Sequence, residues 1–133
     1  MIKKYICDTN VIIRYLVRDN EDLFNKANEF FNDVIGGNKK VIIEQAVFTE
    51  VVFVLSSYYK VPRDEIAEAL SQLLQYKDVT VDHKDTSTQY LLESLKLYKT
   101  TNLHIVDCLI ISKAKYSASE IFSFDQELVR QYS

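Results

Sequence analysis

Apolar residues recur along this chain with two different periods. Residues 3 to 7, 41 to 43, 79 to 81 and 121 to 124 are short runs rich in β-branched and aromatic side chains, and they read as strands. Between them the spacing lengthens. Leu23, Ala27, Phe30, Phe31 and Val34 fall at i, i+4, i+7, i+8 and i+11, and Gly36-Gly37 then supplies a stop, which predicts an amphipathic helix. The same offsets recur in Val47, Val51, Val54, Leu55 and Tyr58, and again in Ile66, Leu70, Leu73 and Leu74 after Pro62, a first-turn residue. Asp85 is placed to cap another helix, whose buried stripe would hold Leu91, Leu95 and Tyr98. Residues 103 to 114 are apolar nearly all round and predict a helix enclosed on several sides. Short strands separated by helices imply a parallel sheet covered on both faces by crossover helices. Such sheets bind ligands beyond the carboxyl ends of their strands.

Composition adds bounds rather than detail. The 133 residues carry 16 Lys plus Arg against 19 Asp plus Glu, a formal net charge of −3. No boundary, repeat or biased segment divides them, so residues 1–133 are expected to form a single domain. The acidic balance argues against holding nucleic acid by bulk charge alone, and leaves open an enzyme that meets phosphate through metal ions. Cys7 and Cys108 sit in apolar runs without metal-ligand spacing, so a reducing, cytoplasmic setting is expected. Met1-Ile2-Lys3-Lys4 imitates the basic end of a signal peptide, but Asp8 and Arg14 interrupt the apolar region that should follow. No stretch approaches the ~18 apolar residues of a membrane span.

Four acids stand out by position. Asp8 follows the first predicted strand and Asp125 the last, which places both at the sheet edge where open α/β folds bind ligands. Each has a second reading as a helix cap. Asp107 has Leu103, Ile110, Ile111 and Ala114 at i−4, i+3, i+4 and i+7, which predicts a carboxylate within an apolar stripe. Such a group needs a metal ion or an ion-pair partner such as Lys113. Glu50 flanks the stripe containing Val47 and Val51 and, taken alone, reads as solvated. Gathered in one pocket, four carboxylates would repel, and hard divalent cations would offset that repulsion. All-oxygen donors favour Mg2+ or Mn2+ over zinc. His83 and His104 have no metal-ligand spacing and read as a loop residue and a helix-start residue.

The segment Ile6-Cys7-Asp8-Thr9-Asn10-Val11-Ile12-Ile13-Arg14 resembles the opening of PIN-domain ribonucleases, especially VapC toxins of toxin–antitoxin pairs. Segments around Thr49-Glu50-Val51, Val106-Asp107-Cys108 and Phe124-Asp125 match in the same order, so the resemblance spans nearly the whole chain. It implies a three-layer α/β/α sandwich with a parallel sheet of four to five strands. Asp8, Glu50, Asp107 and Asp125 fall on the family's acidic positions, while Thr9, Asn10 and Ser123 fall on polar positions that support them. Ser123 stands where Thr is more common, and the chain stops soon after the fourth acid. The resemblance further implies a metal-dependent endoribonuclease that hydrolyses RNA to a 5′-phosphate and a 3′-hydroxyl. Asp8, Glu50 and Asp107 would be the principal Mg2+ or Mn2+ ligands, with Asp125 acting through water or on a second ion. Arg14 and Arg18, four apart, have two readings: holders of flanking phosphates, or a solvated helix face.

The expected partners are RNA, a protein antitoxin and a second copy of the chain, with no membrane. Association, either with itself or with an antitoxin, is expected through aromatic and apolar residues near the first helices and Tyr58-Tyr59, with Phe24 and Tyr59 standing in water in a lone monomer. A different class is a catalytically silent PIN-fold module that binds protein or RNA. A phosphoacceptor domain would need an acid after a middle strand, and Val79-Thr80-Val81-Asp82 matches that poorly.

Overall fold

The computed structural model describes residues 2–81, 88–116, 118, 120, 121, 123 and 125–132. His83, Asp85, Phe122 and Phe124 therefore lie outside the described residues, and with them the proposed cap by Asp85 and half of the strand expected at 121 to 124. The elements run β1 (Lys3–Ile6), α1 (Thr9–Leu16), α2 (Glu21–Ile35), β2 (Lys39–Ile43), α3 (Gln45–Ser57), α4 (Arg63–Leu74), β3 (Val79–Val81), α5 (Thr88–Thr100), α6 (Ile105–Tyr116) and α7 (Gln126–Tyr132).

The three strands pair in parallel in the order β1-β2-β3, with Ile6 opposite Ile42 and Ile43 opposite Val81. Parallel neighbours cannot be joined by a hairpin, so α1–α2 and α3–α4 make the two crossovers. The class is the expected α/β one, and the described residues form three of the four to five strands expected. Described residues Ile121 and Ser123 lie outside any strand. Among the described residues β1 is the end strand of the sheet, and Ile6 is 69% exposed on it.

The helical stripes form most of the core. Phe31 and Val34 of α2, Ile66, Leu70 and Leu73 of α4, and Leu91 and Leu95 of α5 are buried in one cluster with Val41, Ile43 and Val79 of the sheet. Each such side chain contributes about 1.5–3 kcal/mol when fully removed from water. Asn20 caps α2 by accepting a hydrogen bond from the Leu23 N–H at 3.0 Å. Gly37 ends that helix at φ +84, a conformation that a Cβ would strain.

Three details differ from the pattern-based expectation. Of the two tyrosines that follow α3, Tyr59 packs against the core, while Tyr58 is 76% exposed. The helix ends at Ser57, so the offset of eleven from Val47, close to three whole turns, no longer sets the face of Tyr58. Pro62 is the residue before α4 rather than its first turn. Finally, α6 is open on one side: Val106 and Ile110 are 54% and 40% exposed.

Candidate active site

The acid after β1 is positioned by the sheet itself. The Cys7 N–H donates to the Ile42 carbonyl at 3.2 Å, carrying the ladder one residue past Ile6 and releasing the chain at Asp8. Asp8 is the residue before α1, in extended backbone, and its side chain makes no capping bond. The cap reading is thus not realised for Asp8. Its carboxylate is exposed in a cleft of about 570 Å³ that Asn10, Val11, Arg14, Lys26 and Phe30 also line. Thr9 is buried behind it.

Asp125 behaves differently. Its Oδ1 accepts hydrogen bonds from the N–H groups of Glu127 at 3.0 Å and Leu128 at 3.3 Å, so this acid does cap α7. The Asp125 N–H in turn donates to Ser123 Oγ at 3.0 Å, giving Ser123 a supporting role toward its acid.

Asp107 is not enclosed as its spacing predicted. It is half-buried, in the first turn of α6 between exposed Val106 and exposed Ile110. The buried stripe of α6 runs instead through Ile105, Cys108, Leu109 and Ile111. Asp107 sits one step from that stripe, which explains how a carboxylate is tolerated there. Glu50 is exposed in the second turn of α3, within a different cleft of about 620 Å³. Among the described residues, Asp8, Glu50 and Asp107 have no hydrogen-bonding or ion-pair partner for their carboxylates.

The helices carrying these acids adjoin. α1 packs on α3, α3 on α6, and α6 on α7. Asp8, Asp107 and Asp125 all stand at helix N-terminal ends. Among the described residues no three Asp, Glu, His or Cys side chains come together as a metal-holding group. The donors themselves suit a hard cation, because they are carboxylate oxygens with no ion-pair partner among the described residues. Mg2+ commonly takes only one or two protein carboxylates and keeps water and phosphate oxygens for the rest.

The two arginines do not share a helix face. α1 ends at Leu16, so Arg18 lies beyond it, paired through Nε with Glu21 at 3.0 Å and resting 4.3 Å over the Phe24 ring. Phe24 is thereby half-buried rather than standing in water. Arg14 faces the Asp8 cleft but pairs with Asp19 at 3.0 Å. Tyr59, also expected in water, donates its hydroxyl to the same Asp19 at 3.0 Å and packs against the core.

Several neighbours were not evident from the sequence. Glu44 follows β2 as Asp8 follows β1, two residues past the paired Ile6 and Ile42, and it too lacks a capping bond. The rule that selected Asp8 would have selected it. Lys26 reaches the Asp8 cleft from α2, and no local signal marks it. Arg63 donates through Nε to the Tyr98 carbonyl at 2.9 Å and through a terminal nitrogen to the Leu103 carbonyl, with its guanidinium 3.7 Å from the Tyr98 ring centroid. These contacts span 35 and 40 residues.

The sequence model of the PIN domain matches residues 5–132. The chain belongs to the PIN domain family. Among curated proteins, the VapC ribonuclease of Aquifex aeolicus (strain VF5) is 28% identical over 120 residues, covering 90% of this chain and 85% of that protein. All four acids of this PIN domain lie within the matched span, Asp8, Asp107 and Asp125 at helix N-terminal ends and Glu50 in the second turn of α3. Both buried thiols are shielded from reaction: burial pushes Cys7 up to about 12 and Cys108 up to about 11. Neither qualifies as a nucleophile at neutral pH.

Proposed function

We propose that this PIN domain is a metal-dependent endoribonuclease that acts as the toxin of a toxin–antitoxin pair. The observation that carries the reading is that the Asp8, Glu50 and Asp107 carboxylates, on adjoining helices, have no partner among the described residues, in a chain matched to the PIN domain over nearly its whole length. Carboxylates without a structural duty are donors that a hard cation or its phosphate complex would use.

In this reading Asp8, Glu50 and Asp107 hold Mg2+ or Mn2+. Among the described residues both cap bonds of Asp125 fall on Oδ1, which leaves its second oxygen for a cation. A bound ion supplies Lewis-acid stabilisation of the phosphate and a lowered pKa for water. The chain's own residues orient the RNA. Asn10 offers an amide beside Asp8, and Lys26 offers a cation for a flanking phosphate, replacing Arg18, whose guanidinium is already paired. Ser123 fixes the backbone at Asp125, and buried Thr9 adjoins Asp8. An antitoxin would oppose this by covering the acids, and the VapC designation of the Aquifex relative supports that role.

Capping by Asp125 and the separation of the acids favour a second reading, a PIN-fold module that binds RNA without turnover. Incubating single-stranded RNA with the purified chain in EDTA, then restoring Mg2+ or Mn2+, separates the two. Cleavage that appears only with the metal and leaves 5′-phosphate ends supports the ribonuclease. RNA binding without product under every metal condition supports the silent module.

A further inference from the structure

We infer that the cleft beside Glu50 is a subsite for one unpaired RNA base, with the Phe53 ring as its stacking platform. The inference rests on the ribonuclease reading for its substrate and extends it to residues that reading does not use.

Four observations converge. First, Phe53 is 66% exposed although it lies in the middle of α3, a helix whose neighbouring residues Val51, Val52 and Leu55 are buried. A bare phenylalanine ring at that position contributes nothing to the core. Second, Phe53 stands three residues after Glu50, so both side chains share one helix face at about 5–6 Å between Cβ atoms. That separation matches the reach from a phosphate to the base of its own nucleotide. Third, the same cleft is lined, from the segment between α5 and α6, by Asn102 and His104, whose side chains have no hydrogen-bond partner among the described residues, and Ser57 at the end of α3 adds a hydroxyl. An amide, an imidazole and a hydroxyl around one exposed π-face suit a heterocycle with donors and acceptors on its edge. Fourth, the wall is held in place: Arg63 binds the carbonyls of Tyr98 and Leu103 and stacks on Tyr98, fixing both sides of the turn that presents Asn102. The volume of about 620 Å³ accommodates a nucleotide.

A continuous apolar groove would suit a peptide better. Here Val106 is the only strongly exposed aliphatic side chain among the described lining residues, and the polar groups interrupt it. A base requires no such continuity. Duplex RNA is disfavoured, because its bases are already stacked and cannot lie on a side chain.

The chain contains no tryptophan, so Phe53→Trp introduces a single indole into the cleft. Its fluorescence should be quenched on titration with a single-stranded oligoribonucleotide in EDTA, and not with the same sequence annealed into a duplex. Ile35→Trp, on the exposed end of α2, should show no quenching. Phe53→Leu should raise KM about tenfold or more, the loss expected for one base stack, with the effect on KM rather than kcat. Phe53→Tyr should restore it. Quenching without cleavage by the wild-type chain would sustain the subsite and reject the ribonuclease reading. Cleavage with no quenching, or a KM insensitive to Phe53→Leu, would overturn the subsite and spare that reading. Loss of self-association in Phe53→Leu by light scattering, with RNA affinity intact, would also overturn it by assigning the ring to a protein interface.

Discussion

At the scale of single residues, the four acids separate into two kinds. Asp8 has no structural duty, so Asp8→Asn should change stability by no more than about 0.5 kcal/mol. The same substitution should abolish metal-dependent RNA cleavage, which assays of the folded variant would check. Asp125 caps α7, so Asp125→Ala should cost about 1 kcal/mol in chemical denaturation. Asp125→Asn, an equally good cap, should retain stability while removing the charge. A cleavage defect in Asp125→Asn would then report the charge alone. Sequence spacing placed Asp107 among apolar residues, and the structure shows why that was only half right. A stripe on an apolar helix does not say which apolar side is covered, and here Val106 and Ile110 remain open beside the acid. Asp107→Leu should therefore neither rescue a buried charge nor break a buried ion pair, and its melting temperature should stay within a few degrees of wild type.

Among elements, the turn between α5 and α6 is where a long-range contact decides local geometry. Arg63, at the start of α4, joins the last turn of α5 to the residue just before the α6 cap. A lysine cannot offer the same fork of donors or stack on Tyr98 in the same way. Arg63→Lys should lower stability by about 1.5–3 kcal/mol, readable as a shift in denaturation midpoint. The helices themselves were legible from spacing because their buried stripes are long: Ile66, Leu70, Leu73 and Leu74 are all buried as predicted. Strand β3 was legible for a different reason, since Val79–Val81 is a β-branched triplet between a helix end and a polar stretch. Helix ends were less legible. Arg18 was read as part of α1, yet the helix stops at Leu16, where a bond from the Val17 N–H to the Ile13 carbonyl closes its last turn.

For the whole molecule, burial of weak acids makes stability depend on alkaline pH. Burial raises the Cys7 thiol from 9.0 to about 12 and the Cys108 thiol to about 11. Burial, with the 3.3 Å hydrogen bond to Tyr76, raises Tyr15 from 10.0 to about 12. The folded chain keeps these protons at a pH where the unfolded chain has lost them, so the unfolded state binds fewer protons and stability falls as pH rises. The window opens near pH 9 and closes near 12. The melting temperature should decline steadily across it, and Cys7→Ala and Cys108→Ala together should flatten the decline below pH 10. Differential scanning calorimetry in matched ionic strength would test both.

What the sequence by itself determined is the class of fold and the candidates. Alternating strand and helix periods dictate a parallel α/β arrangement, because apolar faces of both periods must be covered. Acids at strand ends follow from the same order, since each strand hands the chain to a helix at one edge of the sheet. Only the tertiary structure decided which carboxylates are free, because whether Asp8 or Asp125 caps its helix depends on a side-chain rotation that spacing does not encode. It also decided that Arg18 is spent on Glu21 and that Phe53 stands bare beside Glu50. Exposure is a property of neighbours distant in sequence, and packing alone assigns them.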